Sequence, residues 1–205
     1  MTLTFMPPTV FRSLLHFEPR SRLGLLVAKA ALYLPEELAL ELVDAIRSTC
    51  LIESSLKLEV IDGFSGNIND YGVVSRKVIT DAGAAAVVNA FRNTVELETF
   101  NFHGLGTGAG AEAVGNTTLT TELTTQYSTD NVRPTGVQSA PAANQYQSVA
   151  TITVDANVSI TEHGLFSQAA TGGGTLWDRS LFTALALNSG DSIIATYVAT
   201  VTSGG

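Results

Sequence analysis

The spacing of apolar residues along this chain changes near residue 95. In one stretch before that point, leucine or isoleucine recurs every four residues, at Leu34, Leu38, Leu42 and Ile46. Because this spacing puts the four side chains on one face, it predicts a helix over residues 35–49. An alanine-rich stretch predicts a second helix over residues 80–93 with Thr80 as its cap, and small side chains of this kind favour a buried helix.

Apolar and polar residues alternate in much of the remaining chain, as they do in β-strands with two different faces. The alternation predicts strands over residues 56–61, 95–102, 145–154, 158–166, 181–187 and 192–202. The last of these is apolar on both faces near its start, so we expect it to lie inside a sheet. Strands spaced by roughly ten residues favour an antiparallel β-sandwich or a jelly-roll-like pair of layers.

Three parts follow from these patterns, and together they predict an α+β fold. Residues 1–22 are apolar but interrupted by prolines, which predicts an extended N-terminal arm that docks on its own domain or on a neighbouring protein. Residues 23–95 form a helix-containing α+β part, and residues 96–205 form a β-rich domain. Within that domain, residues 103–143 make a long connection rich in Gly, Thr and Asn, which is typical of a functional loop or an ordered surface excursion.

Charge and the length of apolar runs narrow the classes of function. The net charge is −8, charged residues make up 15% of the chain, and the lysines are Lys29, Lys57 and Lys77. Because DNA and RNA binding needs a basic surface that neutralises phosphates, we expect no nucleic-acid partner. No apolar run reaches the ~20 residues of a membrane span, and the first residues do not resemble a signal peptide. We therefore expect a protein made in a cytoplasm, with no membrane partner.

Two motifs resemble sites of chemistry but lack the residues that the chemistry needs. The glycine-rich run 104–110 is followed by Ala111 and Glu112, where a phosphate-binding loop would have Lys and Ser or Thr, so it predicts a surface loop instead. The histidines do not cluster in sequence with other metal ligands, and the neighbours Glu162 and His163 point to opposite faces of a strand. We therefore expect no metal and no cofactor.

Other candidate residues also favour structural roles. The single cysteine, Cys50, is expected to be a small buried residue on a helix. Asp178 and Arg179 favour a structural ion pair or a turn cap, and no Gly-x-Ser-x-Gly elbow is present. Trp177 and the tyrosines at 127, 146 and 197 are expected in the core or in a protein interface. We expect no catalytic residues and no enzyme; an enzymatic alternative, a glycan hydrolase, would require two carboxylates facing each other across a cleft.

Three runs of sequence resemble a group of tailed-phage virion proteins. They are VVSRKVITDAGAAAVVNAF (73–91), FHGLGTGAGAEAVGNTTLTTELTTQY (102–127) and ITEHGLFSQAATGGGTLWDRSLFTALALNSGDSIIATYVATV (160–201). The elements TEHGLF, LWDRS and SGDSI carry most of the resemblance. It implies a structural head decoration, or cement, protein that binds the lattice of the major capsid protein on the head surface, in a threefold arrangement and as a homotrimer.

A protein that stabilises a shell binds several subunits, so that many small interfaces gain strength together. The proline-stiffened arm suits this task, and we assign its protein-interface residues to Phe5, Phe11, Leu14 and Phe17. The alternative is a phage tail or baseplate component whose β-sandwich binds a host receptor or glycan. That alternative requires Trp177 and the tyrosines to be exposed.

Overall fold

A computed structural model of the chain describes Leu38, residues 50–76 and residues 79–203. The arm expected over residues 1–22 lies outside the described residues, as do the four interface residues assigned to it, Phe5, Phe11, Leu14 and Phe17. The helix expected over residues 35–49 also lies outside them, apart from Leu38, which is helical.

Eight strands and one complete α-helix make up the described part of the chain. The strands are β1 (Leu51–Ile61), β2 (Ile68–Ser75), β3 (Phe102–Gly106), β4 (Val137–Ser139), β5 (Gln145–Thr153), β6 (Val158–Phe166), β7 (Leu176–Leu187) and β8 (Ser192–Thr202). Helix α1 (Asp81–Phe91) and a 3-10 helix (Leu97–Thr99) lie between β2 and β3. Most of these residues belong to one compact unit, Glu53–Thr200. The described fold is mainly antiparallel β with one helix, which agrees with the expected α+β class.

The strands form two sheets. One has five strands in the order β2-β1-β8-β5-β4, and the other has three in the order β3-β6-β7. Strand β8 lies at the centre of the larger sheet, which confirms the expectation from its two apolar faces. Strand β5 pairs with it antiparallel along its whole length, from Gln145 opposite Thr200 to Thr153 opposite Ser192.

One apolar core is shared by both sheets. Along β1, Leu56, Leu58 and Val60 are buried while the residues between them are partly exposed, as the alternation predicted. These side chains join a cluster with Leu105, Leu123, Tyr127, Ala150, Ile152, Val154, Ile160, Leu185, Leu187, Ile193 and Ala195. Because residues of both sheets contribute to this single cluster, the sheets pack face to face.

The strand expected over residues 95–102 is wrong. Helix α1 ends at Phe91, and Asn93 follows with a positive φ of 54°. Thr99 then donates to the Glu96 carbonyl from its backbone N–H at 3.2 Å and from its hydroxyl at 2.7 Å. These local hydrogen bonds form a 3-10 turn instead of the hydrogen bonds between neighbouring strands that a β-strand would make. Strand β3 therefore begins only at Phe102.

Helix α1 confirms the second expected helix and its cap. The Thr80 hydroxyl accepts the backbone N–H of Gly83 at 2.9 Å and donates to the Leu176 carbonyl at 2.6 Å, which ties the helix start to β7. The expectation of a buried helix is wrong. Within the helix only Gly83 and Ala86 are buried, and Phe91 is 90% exposed. Because alanine side chains are small, they bury little apolar surface, and only a narrow face of the helix packs against the rest of the unit.

Candidate functional site

A buried ion pair lies between the three-stranded sheet and residues 107–136, the connection from β3 to β4 that we call the excursion. Arg179 of β7 donates from Nε to Glu162 Oε2 of β6 at 2.9 Å, and both side chains are almost completely buried. Glu162 also accepts three backbone N–H groups of the excursion at 2.8–3.1 Å, from Gly108, Thr120 and Thr121. The pair therefore satisfies its charges with the excursion and holds it on the sheet.

Arg179 extends the same arrangement to the middle of the excursion. Its Nη1 donates to the Ala111 carbonyl at 3.1 Å and to Asn116 Oδ1 at 3.0 Å. Its Nη2 donates to the Gly110 carbonyl at 2.9 Å. The ion pair or turn cap expected from Asp178 and Arg179 is therefore wrong: both residues lie inside β7, and the partner of Arg179 is Glu162.

A second ion pair links the excursion to the β6–β7 connection. Arg133 donates to both carboxylate oxygens of Glu122, from Nε and from Nη2. Its Nη1 donates at 2.8–2.9 Å to three carbonyls of the connection, those of Gln168, Ala170 and Gly173. The guanidinium carbon also lies 3.6 Å from the centre of the Phe166 ring. All three guanidinium nitrogens of Arg133 therefore donate hydrogen bonds, and these bonds hold the excursion against the β6–β7 connection.

Glycines allow the excursion to approach the sheet closely. The glycine-rich run begins inside β3, where Gly104 and Gly106 are buried, so the expected surface loop is wrong for residues 104–106. Residues 107–110 do form a loop, in which only Gly108 is buried. A Cβ on Gly106 would lie 2.5 Å from the Thr121 carbonyl oxygen and 2.6 Å from Glu162 Oε1. Neither Gly104 nor Gly106 has a positive φ. They are required for space beside the ion pair, not for an unusual backbone angle.

Two histidines meet between the sheets. His103 Nδ1 lies 3.0 Å from His163 Nε2, and His103 Nε2 lies 2.8 Å from the hydroxyl of Ser148 on β5. Burial lowers the pKa of His163 to about 3. Burial, with a smaller contribution from His163, also lowers the pKa of His103 well below its usual value. Glu162 takes no part in this group, as the opposite directions expected for Glu162 and His163 imply.

Asp178 is a second buried polar centre. Its Oδ2 accepts from the hydroxyl of Ser54 on β1 at 2.6 Å, and its Oδ1 accepts from the hydroxyl of Ser180 at 3.0 Å. Burial raises the pKa of this carboxyl to about 7, although these hydrogen bonds act in the opposite direction. Nearby, the Tyr197 hydroxyl accepts the indole N–H of Trp177 at 2.7 Å. The polar part of the interior therefore connects β1, β7 and β8.

These contacts place most of the large aromatic side chains inside the unit. Trp177, Tyr127 and Tyr197 are buried, and Tyr146 is half-buried. A core position is thus correct for Trp177. The glycan-binding alternative requires these residues to be exposed, and that requirement is not met. Their polar groups form hydrogen bonds inside the protein instead.

The ionisable side chains of the interior form separate groups. Among the described residues, no set of three or more His, Cys, Asp or Glu is arranged to hold a metal ion. Cys50 is exposed and lies one residue before β1, so its expected burial on a helix is wrong. No helix in the part of the chain that the structure describes is long and apolar enough to cross a lipid bilayer.

Exposed apolar residues form a second candidate site, at the end of the β1–β2 hairpin. Phe64 in the turn is fully exposed, at 102%, and Ile68 at the start of β2 is 59% exposed. Ile68 lies directly opposite Ile61 in the ladder. Directly opposite residues of an antiparallel pair share a face, so the two isoleucines form a patch at the hairpin end that carries Phe64.

Hydrogen bonds fix the turn that presents Phe64. Asp62 Oδ1 accepts the backbone N–H of Phe64 at 3.1 Å and that of Ser65 at 2.6 Å. The backbone N–H of Gly63 donates to Asp191 Oδ1, in the β7–β8 turn, at 2.8 Å. A Cβ on Gly63 would overlap the Gly190 carbonyl, so only glycine permits this approach.

Three turns are joined at this end of the unit. Gly190 donates to the Val154 carbonyl at 2.7 Å, and the Ser189 backbone N–H donates to Asn157 Oδ1 at 2.9 Å. The β5–β6 turn is thereby bonded to the β7–β8 turn, which in turn holds the Phe64 turn. We call residues 62–67, 154–157 and 188–191 the turn cluster. The sequence does not predict this cluster, because its bonds join residues far apart in sequence.

No protein-family model, curated protein or solved structure matches this chain. The described unit therefore offers two kinds of site on its own geometry: an interior of paired polar groups, and an exposed apolar hairpin end. The first uses most of its donors and acceptors within the protein, although the buried Nδ1 of His163 has no hydrogen-bond partner. The second leaves apolar surface available to another molecule.

Proposed function

We propose that this chain is a structural, non-enzymatic virion protein that binds the lattice of a phage major capsid protein and stabilises the head. The observation that carries the proposal is the contrast between interior and surface. The buried His, Asp, Glu and Arg side chains are used in internal contacts, whereas large apolar side chains are exposed. The resemblance of runs 73–91, 102–127 and 160–201 to virion proteins supplies the identity of the partner.

The exposed side chains have the composition of a protein-binding surface. Interface cores are rich in aromatic residues and poor in charge. Phe64 is the most exposed aromatic side chain described, at 102%, and Val137 at the edge of the larger sheet is 75% exposed. A chain with 15% charged residues has few charges with which to surround such groups. Burial against a partner subunit would remove this apolar surface from water.

A two-sheet unit held by internal ion pairs suits a protein that spans seams between capsid subunits. In this proposal the sheets form a sandwich of jelly-roll-like type, the arm over residues 1–22 lies along a neighbouring subunit, and three copies associate as a homotrimer. The protein is made in the host cytoplasm and resides on the outer head surface. Binding at many lattice points then adds up across the shell.

Electron microscopy of purified virions tests the proposal by locating the protein and counting its copies. Hundreds of copies on the shell, at threefold or quasi-threefold points, are the expected result. A few copies confined to the tail or baseplate would overturn the head assignment in favour of the receptor-binding alternative. Absence from the purified particle would overturn the virion assignment altogether.

A further inference from the structure

We propose that Phe64, held out by the turn cluster, inserts into an apolar pocket with a basic rim on another protein subunit. This inference deepens the proposed function and rests on it, since that subunit is then the major capsid protein. A single exposed apolar residue is common on protein surfaces and would not carry the inference. The inference rests instead on how the turn is built and on the charges around it.

Hydrogen bonds within the chain hold the turn without any partner. The backbone N–H of Asp62 donates to the Asn67 carbonyl at 2.9 Å, and that of Gly66 donates to the Asp62 carbonyl at 2.8 Å. With the Asp62 carboxylate and the bond from Gly63 to Asp191, the backbone on both sides of Phe64 is held. A side chain whose backbone is already held loses less conformational entropy on binding. More of the free energy gained by burying that side chain then contributes to affinity.

The hairpin end that carries Phe64 also exposes apolar aliphatic surface. Ile68 is 59% exposed and lies opposite the partly buried Ile61. An aromatic anchor surrounded by apolar contacts that exclude water is the usual form of an interface hot spot. Phe64 is placed as the anchor, and the two isoleucines are placed as its surroundings.

The charge of the turn cluster selects the kind of partner. Its charged side chains that water can reach are Asp62 and Asp155, while Asp191 is buried, and its three segments contain no Lys, Arg or His. Two copies meeting through this end would bring like charges together, which opposes self-association there. A pocket with a basic rim would be attracted instead, so the expected occupant is a different protein rather than a second copy.

The test measures binding of this protein to shells of the major capsid protein prepared without it. Phe64→Ala removes the anchor and keeps the turn, while Phe91→Ala removes a matched phenylalanine that is 90% exposed on α1. We expect Phe64→Ala to weaken binding by about 30-fold or more, as loss of a hot-spot residue does, and Phe91→Ala to leave binding unchanged. Asp155→Asn is expected to reduce the dependence of binding on salt concentration.

The outcomes separate this inference from the function on which it rests. If the wild-type protein does not bind the shells, the proposed function fails and this inference fails with it. If the wild type binds and Phe64→Ala binds equally well, the function stands and the Phe64 contact is overturned. Equal losses in Phe64→Ala and Phe91→Ala would also overturn it, because the effect would not be specific to the turn cluster. Unchanged thermal unfolding of both variants confirms that they fold.

Discussion

The carboxylate of Asp191 accepts the backbone N–H of Gly63 at 2.8 Å, across 128 positions of sequence. Its other oxygen accepts the backbone N–H of Asn188 at 2.8 Å. One buried side chain therefore closes its own turn and holds the turn that carries Phe64. The exposed apolar end of the unit depends on a polar residue that is itself hidden from water.

Asp191→Asn tests this relationship. Asparagine has one acceptor oxygen, so its amide N–H₂ would face one of the two backbone donors. We expect the free energy of unfolding to fall by about 1–3 kcal/mol, the cost of an unsatisfied buried donor. Urea unfolding measures the loss. Asp155→Asn, in the same turn cluster but exposed, is the control, and an equal loss in the two variants would contradict the role assigned to Asp191.

Arg179→Met tests the ion pair beneath the excursion. The substitution leaves Glu162 buried without its cationic partner, and breaking a buried pair in this way costs about 3–5 kcal/mol. The exposed pair of Lys57 with Asp70, at 2.9 Å, provides the control. Lys57→Met should change the free energy of unfolding much less, because water already screens that pair. Similar losses in both variants would show that burial does not determine the contribution of Arg179.

Gly106→Ala tests the close approach of the excursion to β3. A methyl group there meets the Thr121 carbonyl oxygen at 2.5 Å, and we expect a loss of about 1–3 kcal/mol in urea unfolding. At Gly115 a Cβ meets nothing within 4 Å and φ is not positive. Gly115→Ala should therefore stay within about 0.5 kcal/mol of the wild type. A stable Gly106→Ala protein would mean that the excursion can shift away from the sheet.

The buried titratable groups predict how stability depends on pH. The folded-state pKa values of His103 and His163 lie below the ordinary 6.5, so the unfolded chain binds more protons and stability falls as pH drops below 6.5. The pKa of Asp178 is raised from 3.8 to about 7, so the folded chain binds more protons there between pH 7 and 4. Asp178 therefore opposes the histidines across the same range. Each proton of difference changes the slope by about 1.4 kcal/mol per pH unit.

Asp178→Asn separates the two contributions. Without the protonating carboxyl, stability should fall more steeply between pH 6.5 and 5, by about 1.4 kcal/mol per pH unit relative to the wild type. Thermal or urea unfolding across this range measures the slope. The difference between the two proteins is the informative quantity, because all other titrating groups are common to both. Identical slopes would contradict the raised pKa of Asp178.

Strands with continuous alternation could be predicted from sequence, and the others could not. The pattern of residues 192–202 matches β8 at both ends. Strand β7, expected from residue 181, begins at Leu176. The first five residues of β7 include Asp178 and Arg179, whose charges do not suggest a buried strand. Their partners, Ser54 and Glu162, come from other strands, and local patterns carry no information about such distant contacts.

The candidate sites show the same limit. His103 and His163 are 60 positions apart, and neither has a local neighbour that indicates a pair. One signal was present: Ser148 is a polar residue on an otherwise apolar face of β5, and such a residue usually has a buried partner. Phe64 lies between Gly63 and Gly66, so an aromatic residue within a turn sequence was a second signal. Its exposure, however, follows from the packing of the turn cluster.

The ion pair of Glu162 and Arg179 also orders events during synthesis. The contacts of Glu162 and Arg179 with the excursion join residues 41–69 positions apart, for example Thr121 to Glu162 and Gly110 to Arg179. As the chain leaves the ribosome, the excursion emerges well before either charged residue. Its hydrogen bonds with β3, such as that from Leu123 to the Leu105 carbonyl, can form earlier, but its bonds to the ion pair require β6 and β7 to have been made. Nascent-chain proteolysis should find this segment sensitive until translation passes that arginine.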